Sequence, residues 1–120
     1  MDLKNKTFNE KRDLAYSSNT SISDLRALAK EEDWVIRMYV ARNPNTPLDV
    51  LRGLTKDEHW RVRVHLAKNP KSSSKILVMQ FEYEKSLSEP NKNVIYYLYH
   101  NARLPYVTKV IIETLFKDML

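Results

Sequence analysis

The side chains of this chain able to do chemistry are three histidines, a serine triplet, and arginines set at a fixed distance from acidic residues. His59, His65 and His100 offer imidazoles for proton transfer or metal ligation. None has a cysteine, serine or second histidine at a spacing that assembles a metal or nucleophile site. Ser72-Ser73-Ser74 lacks an adjacent base and reads as a turn and helix cap. The chain has no cysteine, which excludes disulfides and thiolate chemistry, and its one glycine, Gly53, excludes a glycine-rich phosphate loop. The residues predict no enzyme, cofactor or metal. What remains is binding chemistry, in which cations interleave with aromatic rings.

The elements that position these residues are legible as a repeat. Ser17–Arg42 laid over Asn43–Lys68 gives ten identities at a spacing of 26 residues, among them Leu25/Leu51, Leu28/Leu54, Trp34/Trp60, Arg37/Arg63 and Ala41/Ala67. A fixed period in this range marks stacked units that bury their apolar faces only against their neighbours. Each unit divides into two helical segments. The first runs from about Ile22 to Lys30 and from about Pro47 to Lys56, with Pro47 as the first helical residue after Thr46. The second runs Trp34–Arg42 and Trp60–Lys68 and stops at Asn43-Pro44 and Asn69-Pro70, because a residue before proline resists the helical region.

The whole chain, 1–120, reads as one helical-repeat domain. Residues 7–16 form an N-terminal partial unit, 17–42 and 43–68 two repeats, 69–100 an irregular repeat with a six-residue insertion, and 104–120 a C-terminal capping helix. In the irregular unit the first helix is lengthened to about Leu87, the second is Asn93–His100, and residues 82–92 are the expected mobile loop. In the closing helix Val107, Val110, Ile111, Thr114 and Leu115 recur at helical spacing.

Arg37 and Arg63 fall inside the apolar arc of their helices, each six residues after an acid, Glu31 and Asp57. A desolvated guanidinium needs a carboxylate or carbonyl partner. The pattern therefore predicts a structural ladder of Glu31, Arg37, Asp57 and Arg63, each arginine bonded to the acidic turn of its own or the neighbouring unit. Ile95 takes the arginine position in the next unit, where the ladder should stop.

The run Ala41-Arg42-Asn43-Pro44-Asn45-Thr46-Pro47, with Leu51, Leu54, the acidic turn, Val62-Arg63 and Ala67-Lys68-Asn69-Pro70, resembles the leucine-rich repeat variant family of bacterial proteins. More distantly it is similar to HEAT-type repeats. The resemblance is good over residues 40–70, fair over 14–42 and poor beyond Lys75. It implies an all-α, right-handed α-solenoid of about four stacked units with degenerate ends, and no catalytic residues. The cysteine-ligated iron–sulfur cluster of some relatives is not carried over.

In such a stack, corresponding positions align in columns: Tyr16, Arg42, Lys68 and His100; Asp13, Tyr39, His65 and Tyr97; Asn9, Val35, Arg61 and Asn93. Tyr39, Arg42, Arg61, His65, Lys68, Tyr97 and His100 are thus the candidate partner-binding residues, on the concave face. The pattern favours a scaffold for protein–protein interaction, since tyrosine and arginine dominate interface energetics. The alternatives are nucleic acid, with the cations on phosphates and tyrosines stacking bases, or a solvated face with no ligand.

With 42% hydrophobic and 29% charged residues the composition is that of an ordinary soluble domain, and the net charge of +5 fits general solubility as well as an anionic partner. No apolar leader or run of 18 apolar residues occurs, so the expectation is a cytoplasmic protein with no membrane partner. The aromatic surplus after Phe81 predicts a monomer, or weak self-association through the C-terminal region.

Overall fold

The structure is a computed structural model that describes residues 3–120; the first two residues of the expected domain, 1–120, lie outside them. Among the described residues there are eight α-helices and no strand: α1 Phe8–Tyr16, α2 Ile22–Leu28, α3 Trp34–Arg42, α4 Leu48–Gly53, α5 Trp60–Lys68, α6 Ser74–Ser86, α7 Lys92–Tyr99 and α8 Tyr106–Leu115. Short 3₁₀ turns at Leu3–Asn5 and Lys117–Met119 flank them.

Local chemistry sets most of the boundaries. Thr7 and Glu10 form a reciprocal capping box at the start of α1, which holds the Glu10 carboxyl below its usual range through the Thr7 amide and hydroxyl. Ser21, Asp33, His59, Ser73 and Asn91 each accept a backbone N–H from the first turn of the next helix. The helices α4 and α8 are the exceptions, each entered from a proline, Pro47 or Pro105, with no side-chain cap. Pro47 lies outside α4, in extended conformation, and the first helical residue is Leu48. Thr46 is not a cap: its hydroxyl donates 2.7 Å to the Val40 carbonyl. The first helices are also shorter than the sequence spacing predicts, ending at Leu28 and Gly53.

α1, α3, α5 and α7 lie side by side in chain order, each packed on the next. One apolar cluster runs from Ala15 through Leu28, Val40 and Leu51 to Val62 and Leu66; a second runs from Val64 and Ala67 through Phe81, Ile95 and Leu98 to Ile112. Opposite sides of α5 feed both, so the two clusters share a wall. The body measures 48 × 24 × 17 Å. No helix among the described residues is long and apolar enough to cross a membrane.

Two stretches depart from expectation. Residues 82–86 are the last turns of α6, as the lengthened helix to about Leu87 predicts and the loop over 82–92 does not, and only residues 87–91 connect α6 to α7. In α8 the buried positions are Thr108 and Ile112, one turn apart, while Tyr106, Val107, Val110 and Leu115 are exposed. The apolar spacing of α8 fits two faces equally well, and packing of Ile112 beside Leu98 and Leu104 selects the other one.

Candidate binding surface

Interior polar contacts account for the charged residues that the sequence places in the apolar arc. Arg37 is buried, its Nε 2.7 Å from Asp57 Oδ2 and its Nη1 donating to the carbonyls of Glu31 and Glu32. This fork of bonds to Asp57 keeps the guanidinium pKa above its ordinary value. Arg63 repeats the arrangement one unit on, with Nε 2.8 Å and Nη2 3.2 Å from the two oxygens of Glu84 and Nη1 on the Asp57 carbonyl. Thus the carboxylate on Arg63 is that of Glu84, not Asp57, and the carboxylate of Glu31 serves Lys11 at 2.5 Å, not Arg37. Lys11 stands 26 residues before Arg37, so the register contained that partner. Glu84 is fully buried and also accepts the Asn91 N–H. It escapes the register because the insertion places it 27 residues after Asp57.

A second set of contacts recurs at the helix ends. The Asn43 amide donates to the carbonyls of Ala15 and Ser17, Asn69 to those of Ala41 and Asn43, and Asn101 to that of Ala67. Each asparagine Oδ1 accepts the N–H two residues on. These residues therefore do more than end helices. They tie the last turn of one long helix to the last turn of the one before it, and orient the side chains exposed there.

Those side chains line a row of three shallow hollows with shared lining residues, which together make a groove. Its first section, about 530 Å³, is lined by Tyr16, Tyr39, Arg42 and Pro44. The next, about 400 Å³, shares Arg42 and adds His65, Lys68 and Pro70. The last, about 430 Å³, shares Lys68 and Pro70 and adds Tyr97, His100 and Arg103. Six of the seven candidate residues line it. Arg61 does not; its guanidinium lies 5.8 Å from the Trp34 ring and 5.1 Å from the Trp60 ring. His59, which sequence reading left without a role, stacks on Trp34 at 3.9 Å and 12°. The tryptophans' 26-residue spacing was the available signal for that stack.

The groove's rings are paired with its cations: Arg42 lies 5.9 Å from Tyr16, Lys68 4.8 Å from Tyr97, and Tyr39 meets Tyr16 edge to face at 5.8 Å. No carboxylate lines any section among the described residues. Half-buried His65 sits among these charges. Its burial, then Lys68, Arg42 and Arg61, push its pKa below the ordinary value. Burial likewise lowers His59, whose Nδ1 must stay unprotonated to accept the Arg61 N–H at 3.1 Å. No group of three histidine or acidic side chains among the described residues is placed to hold a metal ion.

No protein-family model matches this chain, and neither a curated protein nor a solved structure is significantly similar to it.

Proposed function

We propose that the chain is a short right-handed α-solenoid of leucine-rich-repeat-variant type, and that the groove along α1, α3, α5 and α7 is a non-catalytic docking surface for a protein partner. Recurrence of whole contacts supports the architecture. Lys11–Glu31 and Arg37–Asp57 are one step apart, as are Asn43–Ala15 and Asn69–Ala41, and as are the hydroxyl bonds Thr20–Leu14, Thr46–Val40 and Ser72–Leu66. The same contact at each step implies the same rotation and translation at each step, which generates a superhelix.

The observation that carries the functional reading is the succession of tyrosine- and cation-lined hollows, neighbours sharing Arg42, Lys68 and Pro70, along four successive helices. Such a surface suits an extended segment of another protein, with aromatic rings as anchors. A protein partner is favoured over nucleic acid because tyrosine and arginine, which line the groove, are the residues that dominate protein–protein interface energetics.

The test is affinity capture from the native cell after nuclease treatment, comparing the natural chain with the Tyr39→Ala, Arg42→Ala double variant. Discrete protein partners are expected with the natural chain and not with the variant, which should melt at a lower temperature, since Tyr39 packs on the apolar cluster, but still cooperatively. Equal recovery by both would place the docking site elsewhere. Capture abolished by the nuclease alone would favour nucleic acid.

A further inference from the structure

Some cations of the molecule meet a carboxylate and many exposed ones do not; what marks the groove is that cations line it and no carboxylate among the described residues does. Lys11, Arg26, Arg37, Arg63 and Lys85 each meet a carboxylate. Arg42, Arg61 and Lys68 have no carboxylate partner among the described residues; they rest on aromatic rings. The register puts one acid on this face, Asp13 at the α1 edge, and its carboxylate is taken by Arg12 at 3.2 Å. Like charges gathered at short range repel, and an anion seated among them relieves that repulsion.

Resting on the docking reading above, we infer that the groove takes an extended acidic peptide segment, whose carboxylates meet Arg42 and Lys68 on either side of His65. Those two cations occupy equivalent positions on the packed helices α3 and α5. Packed helix axes lie about 8–10 Å apart, and an extended chain advances about 3.4 Å per residue. Two acidic residues two or three positions apart therefore span the pair. Arginine presents its fork to one carboxylate and lysine a point charge to the other. Pro44 and Pro70 wall the groove beside them.

The experiment is fluorescence anisotropy at low ionic strength with three labelled probes: a glutamate decamer, a neutral glycine–serine decamer and a single-stranded thymidine decamer. The proteins are the natural chain, the groove variant Arg42→Gln, Lys68→Gln, and a charge-matched variant Lys30→Gln, Lys56→Gln at exposed positions away from the groove. The glutamate decamer is expected to bind the natural chain and the charge-matched variant alike, and the groove variant roughly tenfold more weakly, as two partly exposed charge pairs require. The neutral decamer should not bind. The inference is overturned if the glutamate decamer fails to bind, if both double variants lose it equally, or if the thymidine decamer binds more tightly. In any of these cases the Tyr39→Ala, Arg42→Ala capture result still decides separately whether the groove is the docking surface.

Discussion

At the scale of single residues, a buried charge is fixed by its partner. Glu84 is fully buried, and Arg63 is its principal counter-charge. Arg63→Ala leaves that carboxylate unpaired in the core and is expected to destabilise by about 3–5 kcal/mol. Lys11→Ala removes a partly exposed pair, Lys11–Glu31, and is expected to cost about 1 kcal/mol or less. Urea denaturation of the two variants checks the contrast; equal midpoints would contradict it. The buried arginines were legible in the sequence because a cation inside an apolar arc needs a partner. The identity of that partner was legible for Lys11, by register, but not for Glu84. Glu84 stands one position off the register, in a stretch that the sequence offers both as the end of a lengthened helix and as a loop. The asparagine amides were hidden for a different reason: Asn-Pro already explains a helix end, so nothing in the residue types demanded a further role.

At the scale of elements, α3 and α5 have the bounds that the repeat and the Asn-Pro stops predict, because cap, apolar period and breaker agree there. The face that α8 buries was not legible, since apolar residues surround most of the helix and only the neighbouring α7 decides. That assignment is testable: Ile112→Ala should cost about 2–5 kcal/mol, whereas Val107→Lys on the exposed side should leave the urea midpoint nearly unchanged. The α4 helix offers a gain. Gly53 has no positive φ, open space around an added Cβ, and Ala27 as its counterpart in the preceding unit. Gly53→Ala is expected to raise stability by about 0.4–1 kcal/mol, read by thermal melting. The cap of α5 carries a pH dependence. The folded-state pKa of His59 lies below its ordinary value of 6.5, so the stability it contributes is full above that value and is lost as the pH falls through the folded pKa. His65 acts in the same direction. Stability should therefore decline as the pH is lowered from about 7 to 5, and His59→Asn, which keeps a capping oxygen as Asn91 does for α7, should flatten part of that slope in urea titrations at each pH.

At the scale of the whole molecule, α5 joins both apolar clusters, and the salt-bridge and asparagine contacts cross the same interfaces. This interior holds the helix ends in fixed relation, and the groove is the outer surface of that arrangement. The columns of tyrosines and cations could be read from the repeat, but the pairing of Arg42 with Tyr16 and of Lys68 with Tyr97 could not, because it depends on where adjacent helices end. The most direct test of the docking surface is photo-crosslinking in the native cell from a benzoyl-phenylalanine placed at Tyr39, with the same probe at exposed Ile22, outside the groove lining, as control. A discrete protein adduct from position 39 that is absent from position 22 is the predicted result. Adducts from position 22 alone, or the same adducts from both, would contradict a docking surface along this groove.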